Sequence, residues 1–147
     1  MAARTNAQLI AEYLSTDPND YARNQADSFQ NQDDPFVGQH QHATQELTAS
    51  GAITLNSGVV LLNHATVAIA ATLDAPTAGD ELYIIDSSAS GTAAHTVTLP
   101  EGVTWDGTND IATFNAPGEA LHVVAISATR WFIMENIGSV GLSASGG

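Results

Sequence analysis

Two runs decide how this chain folds: TVAIAATLDAPTAGDELYIID at Thr66–Asp86 and ALHVVAISATRWFIMEN at Ala120–Asn136. Their apolar residues alternate or come in short runs broken by Gly, Pro, Asp and Asn. No apolar stripe recurs at helical spacing over more than a turn, so the runs read as β-strands. In the first, Val67, Ile69 and Leu73 share one face, and Thr66, Ala68, Ala70 and Thr72 share the other. Working outward, AITL (Ala52–Leu55) and VVLL (Val59–Leu62) flank Asn56–Ser57–Gly58 and predict a hairpin. HTVTL (His95–Leu99) and IATFN (Ile111–Asn115) add strands, with turns at Pro100–Glu101–Gly102, Asp106–Asp110 and Ala116–Pro117–Gly118. About nine strand candidates without crossover helices predict an all-β fold, a small antiparallel β-sandwich or barrel. Nothing recurs at a fixed period, so a solenoid is not expected.

Several strands are apolar on both faces. Leu82 and Ile84 alternate with Tyr83 and Ile85; Trp131 and Ile133 alternate with Phe132 and Met134. One set fills a core, and the other needs cover from a second sheet or another subunit. Tyr83, Ile85, Arg130, Trp131, Phe132 and Met134 are therefore the candidate residues of the β-core and of an oligomer contact. Closed cyclic symmetry is the ordinary form of such self-association.

Positions 1–46 differ in character and read as an extended N-terminal arm, followed by a β domain at 47–140 and a tail at 141–147. A short helix is expected near 6–14: Thr5 can cap it, Gln8 follows three residues later, and Leu9, Ile10, Tyr13 and Leu14 form a stripe that Pro18 ends. The next stretch is rich in Gln and sparse in apolar residues, and it cannot bury enough area to offset its ordering entropy. Tyr21, Phe29, Phe36 and Val37 stand isolated in it, as spaced anchors for a partner would. With the helix stripe they make the candidate partner-binding set.

Three Arg, no Lys and 16 Asp+Glu in 147 residues give a formal net charge of −13. Phosphate backbones and anionic membranes repel such a chain, so neither nucleic acid nor a membrane is an expected partner. No apolar run has the length of a membrane span, and the N-terminus carries no apolar core of a signal peptide. With no cysteine there is neither a disulfide framework nor thiolate chemistry.

Reactive constellations are scarce. His40 and His42 lie on one side of an extended segment and could clamp a metal, but no further ligand stands at a recognisable spacing. Asp106–Gly107–Thr108–Asn109–Asp110 lacks the spacing of a calcium loop and reads as a turn. No G-x-S-x-G presents a nucleophile, and Ser88–Ala89–Ser90–Gly91 reads as a polar loop. Arg130, the last of the three Arg, is expected to pair with a carboxylate, within the chain or across a subunit contact. The expectation is no enzyme, no metal and no cofactor.

TLDAPTAGDELYIID, HTVTL and WDGTNDIATFNAPGEALHVVAISATRWFIMENIGSV together resemble small β modules of tailed-phage virion proteins. In these a Gly-x-Ala-Leu strand precedes a final Trp-bearing strand followed by Asn and Gly. The matching positions are Gly118, Ala120–Leu121, Trp131, Asn136 and Gly138, within Thr66–Val140. The resemblance implies a capsid decoration (cement) protein, often a homotrimer, on the outer surface of the capsid. The major capsid protein would then be its partner and the arm its grip. The alternative within the same resemblance is a head-fibre or tail-tip module binding a receptor or glycan through loop aromatics such as Trp105.

Overall fold

The computed structural model describes residues 41–146. The predicted helix near 6–14 and the anchors Leu9, Ile10, Tyr13, Leu14, Tyr21, Phe29, Phe36 and Val37 lie outside them, as does His40.

Ten strands form two five-stranded sheets, and no helix occurs among the described residues. The strands are β1 (Thr44–Leu47), β2 (Gly51–Ile53), β3 (Gly58–Leu62), β4 (Ala70–Leu73), β5 (Glu81–Asp86), β6 (His95–Thr98), β7 (Ile111–Phe114), β8 (Ala120–Ser127), β9 (Arg130–Ile137) and β10 (Gly141–Ser143). The first sheet runs β1-β3-β5-β8-β9 and the second β10-β7-β6-β4-β2. The first strand thus starts at Thr44, ahead of the expected domain boundary, and β10 lies in the stretch read as tail.

The all-β class holds, but the expected antiparallel arrangement does not. From β1 to β6 the chain alternates between the sheets, so β1, β3 and β5 stack in parallel in one, and β2, β4 and β6 in the other. Each return to a sheet passes through the opposite sheet, and that detour supplies the long crossover that parallel pairing requires. Only the later part, with β5/β8, β8/β9, β6/β7 and β7/β10, is antiparallel. The predicted hairpin across Asn56–Ser57–Gly58 is likewise absent, because β2 and β3 belong to different sheets. The coils have unequal lengths: Thr44 partners Val59, whereas Val59 partners Tyr83. Stacked coils therefore leave no fixed period in the sequence.

Alternation along the strands sends one face of each sheet into a single core. Val60, Leu62, Leu82, Ile84, Leu121, Val123 and Trp131 enter from the first sheet, and Ala71, Leu73, Val97, Ala112 and Phe114 from the second. Fully burying each larger aliphatic side chain contributes roughly 1.5–3 kcal/mol. Trp105 and Trp131 sit tilted with ring centroids 6.2 Å apart, and both are enclosed. Val67 departs from the predicted face and is exposed. The amides of Thr66 and Val67 donate to Nδ1 of His64, which turns the chain before β4 begins.

Neighbouring coils touch closely at Gly91. A methyl group there would lie 1.8 Å from the Ala65 carbonyl oxygen, and φ is +133°. Gly79 has φ +98° but open space around it. Gly91→Ala should therefore cost about 3 kcal/mol or more, against about 1 kcal/mol for Gly79→Ala. Chemical denaturation of the two variants measures the difference; equal costs would contradict the close stacking of coils.

Candidate functional site: the outer face of the first sheet

Strand register lays out the outer face of the first sheet in rows. One row reads Thr44, Val59, Tyr83, His122, Glu135; the next reads Glu46, Leu61, Ile85, Ala120, Ile137. A shorter row sets Glu81, Val124 and Phe132 side by side. Phe132 and Ile137 are about half exposed, at 48% and 54%. Met134 is the extra residue where the β8/β9 register shifts, and it is exposed too. Tyr83, Ile85, Phe132 and Met134 thus lie together on the outside, as an uncovered apolar face requires, whereas Trp131 belongs to the core.

A polar group sits at the centre of this face. His122 Nε2 lies 2.6 Å from Glu81 Oε1, and the Tyr83 hydroxyl donates to the same carboxylate at 3.3 Å. The Tyr83 and His122 rings stack with centroids 4.1 Å apart and planes within 9°; the His42 ring is tilted against Tyr83 at 5.6 Å. The hydrogen bond from His122 holds the Glu81 carboxyl below its usual value, against the opposing effect of burial. Burial raises the Tyr83 hydroxyl, helped by the negative charge of Glu81.

The remaining candidates are engaged elsewhere. Arg130 is exposed and its Nη2 donates to the main-chain oxygen of Asp106 at 3.2 Å; among the described residues it meets no carboxylate. The Asp106 carboxylate accepts from the amides of Thr108 and Asn109 and from the Asn109 side chain. Burial works against its charged form, but these bonds outweigh it and hold the group below its usual value. Asp110 accepts from the hydroxyl and amide of Ser145, which also lower it. Asp106 staples its own loop, and Asp110 ties the start of β7 to the residues after β10. Among the described residues no cluster of His, Asp and Glu could hold a metal ion.

Ser88, His95 and Asp86 do converge, which the absence of a G-x-S-x-G motif gave no reason to expect. All three are buried. Ser88 Oγ lies 3.3 Å from His95 Nε2, and Asp86 Oδ1 is 3.8 Å from that same nitrogen. The polarity is wrong for acyl transfer. His95 Nδ1 accepts the Ile69 amide at 3.0 Å, so the ring's proton is on Nε2. Nε2 therefore donates to the serine and cannot accept its proton, as a general base must. Ser88 Oγ also accepts the His64 amide, and the Ser88 amide donates to Asp86. The group ties the β3–β4 and β5–β6 connections together.

Two outcomes follow. His95→Leu leaves the Ile69 amide buried without an acceptor and should cost about 1–3 kcal/mol; nitrogen NMR should find Nε2 protonated and Nδ1 bare, and the opposite tautomer would contradict the assignment. Because the folded Glu81 carboxyl lies below its ordinary value of 4.5, its pair with His122 contributes stability above about pH 4.5 that is lost as pH falls through the folded value. Acid denaturation of Glu81→Gln should lack that part of the transition.

No family model matches this chain, and neither does any curated protein.

Proposed function

We propose that the chain is a structural protein of a tailed-phage virion that binds the outer surface of the assembled capsid and stabilises it. The observation that carries this reading is the outer face of the first sheet, where Phe132, Met134 and Ile137 stand exposed beside Val59, Leu61, Ile85 and Val124. Solvent-facing sheets usually alternate apolar-in with polar-out; a sheet apolar on both sides is built for cover.

The strand-and-turn resemblance supports the reading through the roles of its residues. Gly118 turns into β8 at φ +88°, and Trp131 anchors β9 in the core. Asn136 grips Val140 twice, accepting its amide at 2.8 Å and donating to its carbonyl at 3.0 Å across the Gly138 turn. The landmarks are thus residues that build the final hairpin and its exit, so the likeness is one of architecture.

In this reading the protein acts by mass action, binding the assembled shell rather than loose subunits. The arm supplies multivalent grip on the major capsid protein through Leu9, Ile10, Tyr13 and Leu14 of the helix expected near 6–14 and through Tyr21, Phe29, Phe36 and Val37, and copies associate as a trimer. The glycan-binding alternative loses its instrument, because Trp105 is wholly buried.

The test is capsid binding by a chain lacking residues 1–41. The cut spares β1 at Thr44–Leu47, whose ladder with β3 a cut at position 46 would destroy. The shortened protein should fold and fail to decorate purified capsids in electron micrographs. Full decoration by it would sink the role given to the arm, and failure of the intact chain to bind would sink the reading itself.

A further inference from the structure

We infer that the side chain of Gln45 stands in for a strand at the free edge of the second sheet, and that it keeps other chains from adding to that edge. The inference does not depend on the capsid reading; it rests on the hydrogen bonds of one side chain.

The winding leaves β2 as the last strand of the second sheet, paired with β4 on one side only. An edge strand offers its main-chain N–H and C=O groups to any extended segment that approaches, and proteins blunt such edges with charge, Pro or a bulge. Strand β2 uses none of these. Gly51–Ala52–Ile53 carries no charge and no Pro, its register with β4 runs without a shift, and Gly51 and Ala52 are exposed.

Gln45 supplies the missing neighbour. It lies on β1, the edge strand of the other sheet, between Thr44 and Glu46 of the outer face, and it reaches across to β2. Its Nε2 donates to the Ala52 carbonyl at 3.0 Å, and its Oε1 accepts the Thr54 amide at 2.8 Å and the Leu55 amide at 3.3 Å. The Thr54 hydroxyl donates to the same oxygen at 3.3 Å. In extended chain, the carbonyl of one residue and the amide two residues on point to the same side. They are the two groups that a residue of a further parallel strand would take. A side-chain amide has both the donor and the acceptor for that pair, whereas Glu lacks the donor and Leu lacks both. Gln45 thus fills the place of the next strand without continuing the ladder.

Amide hydrogen exchange of the full-length chain, read by NMR near neutral pH, tests the contact. The Thr54 and Leu55 amides should exchange about tenfold more slowly than in Gln45→Leu, the factor that one net hydrogen bond supplies. Sedimentation velocity over a concentration series tests the guard. The native chain should keep one sedimentation coefficient, whereas Gln45→Leu, folded by circular dichroism, should add larger species as concentration rises. Adding Ala52→Lys, which places a charge on the exposed edge, should remove those species. If Gln45→Leu does not fold, Gln45→Asn takes its place in both experiments, its amide being one methylene too short to reach both groups. Free-peptide exchange rates at Thr54 and Leu55 in the native chain would overturn the inference. So would a folded Gln45 variant that keeps the native size at every concentration, or association that survives Ala52→Lys and therefore does not run through β2.

Discussion

The Ile69 amide donates to Nδ1 of His95 at 3.0 Å, and that bond fixes the protonation of a ring with no exposure to solvent. A buried imidazole must satisfy both nitrogens, since an unmet polar atom costs about 1–3 kcal/mol. Once Nδ1 is committed to the backbone, Nε2–H must find its acceptor on the other side, and Ser88 Oγ is there at 3.3 Å. Ser88 is in turn held by the His64 amide and by Asp86. The Asp86 amide and carbonyl bond Glu119 and Gly118, so the β7–β8 connection joins the same knot. Three connections that are far apart in sequence are thereby closed over one end of the core.

That knot suits the way the chain is wound. Parallel strands meet only after a long detour, and each detour must be pinned to its neighbour or the register drifts. Gly91 against Ala65 and Gly58 against Ala43 show how closely successive passes approach, since neither position has room for a β-carbon. With β1, β3 and β5 laid in parallel and β8 and β9 added antiparallel, the first sheet acquires five strands whose outward residues fall in register. The broad outer face is a consequence of that stacking. A bulge at Met134 interrupts the edge strand, and bulges discourage edge-to-edge pairing.

Much of this was legible in the residues. The strands HTVTL, IATFN, ALHVVAI and RWFIMEN emerge nearly as read, because alternation and turn residues are local signals. The two-sided apolar character of ELYIID and RWFIMEN marked the outer face before any register was known. Pairing direction was not legible. Asn56–Ser57–Gly58 is good hairpin chemistry, yet Gly58 instead serves a close pass beside Ala43, the residue that leads into β1. Val67 likewise obeyed the alternation and missed the core, because the His64 ring captured the two amides of the turn. The polar cluster on the face was hidden for a different reason: Glu81 and His122 are 41 residues apart and meet only through the β5/β8 ladder.

The acidity divides along the same lines. Asp80, Asp106 and Glu119 spend their oxygens on amides of their own turns, and Asp110 holds the Ser145 amide and hydroxyl beyond β10. Carboxylates used this way are fixed in place and neutralised locally by backbone dipoles, so they set the net charge without forming a ligand site. Glu81 and Glu135 belong to a different class. They stand on the outer sheet face, Glu81 bonded to His122 and Tyr83, and Glu135 opposite His122 in the register.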